Sequence, residues 1–182
     1  MASIGLPRAF GLAACRKHFT LCSRQMKPSL YIETTVPSYL TGRPSRDPLI
    51  AGQQAATKTW WRLRQSSFAL FTSQFVLNEA ALGDAKMAAK RLQILHSIEK
   101  LHVTPEVDDL ARHILREHLL PAKAAVDAFH IATAAVHSMH FLLTWNCTHI
   151  NNGEIIPGVE RLAAAHGYTL PVICTPLELM GV

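Results

Sequence analysis

The residues of this sequence that could do chemistry are acids set against an apolar pattern. Between Ala124 and Gly153, Asp127 is the sole Asp, Glu, Lys or Arg. Its neighbours one and two turns further along a helix would be Ile131 and Ala134, both apolar. An unpaired buried carboxylate is strongly unfavourable, so Asp127 must be neutralised, find a partner from another segment, or take a cation from solvent. The spacing alone leaves these three solutions open. Glu79 projects between Phe75 and Val76 on the inward face of a predicted helix; a shifted helix would instead leave it at the surface. Glu33 ends a predicted strand, just before Thr34 and Thr35. Asn146 follows the run Phe141-Leu142-Leu143-Thr144 by two residues. A strand-end Asn is ordinarily a turn former. Taken together, two oxygen side chains come from strand ends and two from inward helix faces. In open parallel sheets, ligands sit outside the carboxyl ends of the strands. Converging oxygens with no cysteine suit a hard cation, Mg²⁺ or Mn²⁺. A water on such a cation is acidified and becomes a nucleophile for a phosphodiester.

The elements that must position these residues alternate along the chain. Strands are predicted at 29–33, 68–72, 100–104, 140–144 and 172–175. Helices are predicted at 47–65, 73–82, 84–97, 105–119, 122–138 and 155–166. Asp47 is the expected N-cap of the first, with Pro48 at its first position. Thr72 or Ser73, Asp84 and Thr104 are the expected caps of the next three. The helix over 122–138 is apolar almost all round, so it is expected to be buried. Strands separated by helices imply parallel pairing. The fold class is therefore α/β, a three-layer α/β/α sandwich around a mainly parallel sheet of four to five strands.

The length of 182 residues suits one domain, and 49% hydrophobic with 17% charged residues suits a packed core. No apolar run is long enough to span a membrane. The four cysteines form no CxxC pair, so neither a disulfide scaffold nor a thiolate zinc site is expected, and a reducing, cytoplasmic setting is the default. The net charge of +5 arises in the leader: Arg8, Arg16, Lys17, Arg24 and Lys27 stand there without an acid, and the remainder is neutral. Residues 1–27 read as a basic extension, disordered or misassigned, with Met26 as the natural start; a targeting peptide and a lipoprotein signal at Cys15 are the competing readings. The body is residues 28–182. Phosphate-cradling GxGxxG and GxxxxGK[ST] motifs are absent, as is the GxSxG elbow.

Four segments in order resemble the PIN-domain family, in particular the VapC-type toxins. They are Tyr31-Ile32-Glu33-Thr34-Thr35, Ser73-Gln74-Phe75-Val76-Leu77-Asn78-Glu79, Asp127-Ala128-Phe129-His130-Ile131-Ala132-Thr133-Ala134, and Leu142-Leu143-Thr144-Trp145-Asn146. The resemblance spans roughly residues 29–179. It implies a metal-dependent endoribonuclease in which Glu33, Glu79 and Asp127 hold Mg²⁺ or Mn²⁺, with Asn146 and Thr144 supporting the metal or the water. It also implies an RNA substrate, a cognate antitoxin and a homodimer. Two positions depart from the family pattern, since most members carry Asp where Glu33 and Asn146 stand. Asn lowers the cluster from four negative charges to three and keeps a carbonyl oxygen. A catalytically weak module that binds RNA or a protein partner is the alternative. Arg43 and Arg46, in the loop after the first segment, are the expected phosphate contacts. His130 is expected to pack and donate to a backbone carbonyl, His137 and His140 to cap a helix end, and Lys86, Lys90 and Arg91 to form a solvated face.

Overall fold

The computed structural model describes residues 27–181; the expectations for residues 1–26 lie outside them. Five strands form one parallel sheet: β1 (Ser29–Ile32), β2 (Ala69–Ser73), β3 (Glu99–Leu101), β4 (Phe141–Leu143) and β5 (Val172–Cys174). Their order is β3-β2-β1-β4-β5. Seven helices connect them: α1 (Thr35–Thr41), α2 (Pro48–Arg64), α3 (Gln74–Ala80), α4 (Ala85–Leu95), α5 (Pro105–Arg116), α6 (Ala125–Val136) and α7 (Ile156–Ala165). The chain runs outward from β1 through β2 to β3, then crosses back to β4 on the other side of β1. Right-handed crossovers place α1–α4 on one face and α5–α7 on the other. α1 packs against α2 and α4, and α5 against α6 and α7, while α3 also meets α6 at the carboxyl edge of the sheet, with the Phe75 ring 4.7 Å from Phe129.

β1 is the middle strand, and Leu30, Tyr31 and Ile32 are all fully buried, as expected where both faces of a sheet are covered. α6 is buried over most of its circumference, from Ala128 through Ala135. Trp60 of α2 is fully buried, with its ring 5.9 Å from Phe68.

Local chemistry sets the element boundaries. Asp47 accepts from the N–H groups of Leu49 and Ile50 and caps α2. Asp84 accepts from Met87 N–H and caps α4. Gly83 and Gly167 take φ of +84° and +81°, which a glycine adopts without a Cβ clash. Ser73 stands at the N-cap of α3 but makes no cap bond; its hydroxyl is engaged inside the sheet instead. Arg91 departs from the expected solvated face: its guanidinium donates to the carbonyls of Ala80 and Leu82 and closes the end of α3. His137 stands at the C-cap of α6 as expected, its N–H reaching the Thr133 and Ala135 carbonyls, and its ring donates to the carbonyl of His102. His140 departs from expectation, since its ring meets Ser29.

Candidate metal and nuclease site

Three neighbouring strands end at one edge of the sheet. Ser73 ends β2, Glu33 follows β1, and Thr144 follows β4. The Glu33 N–H still reaches Leu143 O at 3.1 Å, so the sheet register extends into the site. Crossovers leave β1 and β4 in opposite directions, and a crevice forms at such a switch point.

Glu33 is 4% exposed. Its Oε2 accepts from the Thr35 N–H at 3.1 Å, the Thr35 hydroxyl at 2.5 Å and the Thr144 hydroxyl at 2.8 Å. No protein donor among the described residues meets its Oε1. Burial pushes the Glu33 pKa up, against the pull of His130 and the Thr35 and Thr144 hydrogen bonds. Glu79 points inward from α3, as its position between Phe75 and Val76 predicts. Its Oε2 accepts from the Thr34 hydroxyl at 2.5 Å and meets His130 Nε2 at 2.8 Å. Burial raises the Glu79 pKa, but the His130 and Thr34 hydrogen bonds outweigh it and hold the group below the usual carboxylate range.

His130 is fully buried and does not donate to a backbone carbonyl. Its Nδ1 meets the Tyr31 hydroxyl at 2.9 Å, and that hydroxyl meets Ser73 Oγ at 2.7 Å. A carboxylate only accepts, so His130 Nε2–H donates to Glu79. His130 Nδ1, the Tyr31 hydroxyl and Ser73 Oγ continue this bond inward as one hydrogen-bonded chain. The chain runs from inside the sheet to one carboxylate oxygen and holds it in place.

Ligand atoms of Glu33, Glu79 and His130 lie within 4.8 Å of one another, the one such group of candidate metal ligands among the described residues. Protein donors fill one oxygen of each carboxylate and leave the other open. That donor set fits a divalent cation held by two carboxylates. His130 is committed to Glu79 and acts behind it, as partners of ligating carboxylates do.

Asp127 sits in the first turn of α6, where the helix dipole favours a negative charge. Its partner does come from another segment. Asn146 Nδ2 donates to Oδ1 at 3.0 Å, and His149 Nδ1 donates to Oδ2 at 2.9 Å. The Asn146 carbonyl oxygen accepts from His149 N–H at 3.1 Å, which fixes the orientation of the amide. Asn146 N–H donates to the Thr144 hydroxyl at 2.8 Å. Thr144 thus links the Asp127 pair to Glu33. The four acid and amide side chains singled out in the sequence occupy one edge. Glu33 and Glu79 gather with His130, while Asp127 and Asn146 gather with His149.

His149 was not singled out in the sequence. Its signal is the Asn-x-x-His spacing, since an Asn side chain that bonds the third backbone N–H onward returns that residue to its own side. Arg43 and Arg46 are exposed in the loop before α2 and join no ion pair among the described residues. Among the described residues, no helix is long and apolar enough to cross a membrane.

No family model matches the sequence, and no curated protein matches it either. Solved structures do match the fold. The VapC20 toxin of Mycobacterium tuberculosis, described as sarcin–ricin loop cleaving, superposes with a TM-score of 0.55 at 18% identity, over 69% of this chain and 95% of its own. VapBC2 of Rickettsia felis, bound to a DNA fragment from its promoter, superposes with a TM-score of 0.51 at 12% identity, over 80% of this chain and 97% of its own. The α/β/α arrangement expected from the sequence is therefore the PIN-like fold that this chain shares with VapC-type structures.

Proposed function

We propose that this protein is a metal-dependent endoribonuclease that hydrolyses RNA phosphodiester bonds and serves as the toxin of a toxin–antitoxin pair. The observation that carries the reading is the meeting of Glu33 and Glu79 at the switch point of the sheet, each with one oxygen held by the protein and one left open. Glu33 and Glu79 would hold Mg²⁺ or Mn²⁺, with Asp127 facing the same edge. When bound, the cation supplies an acidified water and a counter-charge for the phosphate. The chain's own residues do the positioning. Thr35 and Thr144 orient Glu33, Thr34 and His130 orient Glu79, and Asn146 and His149 orient Asp127. The VapC-type fold supports the RNA substrate and a cognate antitoxin, and the reading includes a cytoplasmic homodimer.

One observation favours a second reading, a PIN-like module that binds RNA or a protein without turnover. Both oxygens of Asp127 are occupied inside the protein, by Asn146 and His149. An Asp at 146 would face Asp127 with a like charge and favour a cation between them; Asn closes the pair without one.

The test is cleavage of total RNA by the full chain with Mg²⁺, Mn²⁺ or EDTA, wild type beside Glu33→Gln and Asp127→Asn. Cleavage that requires the metal and falls at least a hundredfold in both variants supports the nuclease. A folded wild type that binds RNA and cuts none with either metal refutes it in favour of the binding module.

A further inference from the structure

Trp145 separates the two residues that connect the halves of the site, Thr144 and Asn146. Its backbone N–H donates to Thr35 Oγ1 at 2.8 Å, and its indole N–H donates to Thr57 Oγ1 at 2.7 Å. Thr35 is also the residue whose hydroxyl holds Glu33. The indole ring is thus fixed relative to the carboxylate cluster, with its polar end turned inward. Its remaining surface lines an open cleft of about 350 Å³ with Leu49, Gly52, Gln53, Ala56 and Leu177. Leu49 and Leu177 are 71% and 62% exposed. Gln53 is the one residue of that lining with a side-chain amide.

We propose that this cleft is a subsite for one unpaired RNA base adjacent to the bond that is cut, with the base lying against the Trp145 ring. The assignment rests on the nuclease reading and names where that site takes its substrate. Charge favours RNA over an apolar protein segment. Arg43 and Arg46 lie on the loop that leads directly into Pro48 and Leu49, and neither joins an ion pair among the described residues. The loop is held in place by Gln54, which donates to Arg43 O and accepts from Ser45 N–H. The nearby acids are hydrogen-bonded within the chain, Asp47 to the N–H groups of Leu49 and Ile50 and Glu178 to Thr175, and neither pairs with these arginines. Two arginines free of ion pairs among the described residues thus stand on the loop that enters the cleft wall, near a fixed aromatic ring. Phosphates on arginine and a base on an aromatic ring are how single-stranded RNA is held.

Gly52 provides a direct test. A Cβ built there meets nothing within 4 Å, so Gly52→Leu places a side chain on the cleft wall with no clash at its Cβ. Replacing a mid-helix glycine also favours the helix. The full chain is titrated in EDTA with labelled short oligoribonucleotides of A, C, G or U, and cleavage is then measured with Mn²⁺. The expected result is wild-type Tm, at least tenfold weaker oligonucleotide binding, and a KM raised about tenfold with kcat unchanged, the scale of one lost base stack. Leu49→Ala, at an exposed position, weakens binding in the same direction and serves if Gly52→Leu does not fold. If wild type cleaves RNA and both variants keep its affinity and KM, the cleft belongs to a protein side chain or to nothing, and the proposal fails alone. If folded wild type neither binds nor cleaves RNA, the nuclease reading fails with it.

Discussion

Asn146→Asp separates a closed polar pair from a metal site one residue short of its usual charge. In the structure the Asn146 amide donates to Asp127 Oδ1 at 3.0 Å. Aspartate at that position replaces the donor with a second negative charge. Two unit charges at 3.0 Å repel by about 5 kcal/mol at an effective dielectric of about 20. Rotation of the carboxylates apart relieves part of this, and the lost hydrogen bond adds about 1 kcal/mol. The expected net destabilisation in EDTA at about pH 8 is about 3 kcal/mol, or roughly 6–12 °C in Tm for a chain of this size. A cation seated between the carboxylates removes the repulsion, so Mn²⁺ or Mg²⁺ should return most of the lost Tm. Acidification to about pH 4 should do the same through one proton shared by the pair. The assay is thermal unfolding of wild type and variant in EDTA, Mg²⁺ and Mn²⁺, with RNA cleavage alongside. An EDTA Tm equal to wild type, or a loss that neither metal reverses, would refute the argument that residue 146 faces a cation site.

Three further outcomes follow from groups beside or beyond the cluster. Burial raises the Glu33 pKa, so its contribution to stability is full below the unfolded carboxylate value and is lost as pH rises through the folded one. Glu33→Gln in EDTA should therefore match or exceed the wild-type Tm at about pH 7, with the gap growing from about pH 4 upward, while the metal-induced rise disappears; a pH-independent gap counts against this. Tyr31→Phe leaves Ser73 Oγ and His130 Nδ1 without their shared partner, costing about 1–3 kcal/mol. It should also weaken Mn²⁺ binding about tenfold by calorimetry; full metal affinity in the variant would show that the donor chain does not orient Glu79. Arg91→Ala removes two hydrogen bonds from the end of α3. It should lower stability by about 1–2 kcal/mol in urea unfolding, and an unchanged midpoint would contradict the capping role.

Much of this architecture was legible because local chemistry and tertiary packing agree. Asp47 and Asp84 cap the helices they precede, and the apolar run after Ala124 is a buried helix. Disagreement arose where a tertiary partner outcompeted the local one. Ser73 is in the right place to cap α3, but Tyr31 takes its hydroxyl. β3 covers Glu99–Leu101 rather than 100–104, because its pairing with β2 ends at Ser73 opposite Leu101, where β2 gives way to α3. The oxygens of the site were identifiable by type, since each breaks an apolar pattern. Their grouping was not, because it depends on partners far along the chain. His130 reads locally as a packed ring, and only the positions of Tyr31 and Glu79 show it linking sheet to carboxylate.

The Thr144 hydroxyl that holds Glu33 lies 111 residues later in the chain. β1 cannot receive β4 until that length has been synthesised. At roughly 5–20 residues per second this takes about 6–22 s, during which Glu33 has emerged without its neighbour. The carboxylate edge is thus among the last features of the protein to exist during translation, and a chain interrupted before β4 carries the first acid without the site. The nuclease proposed above would remain unarmed until β4 has joined β1, leaving an interval in which an inhibitor could meet it before it cuts.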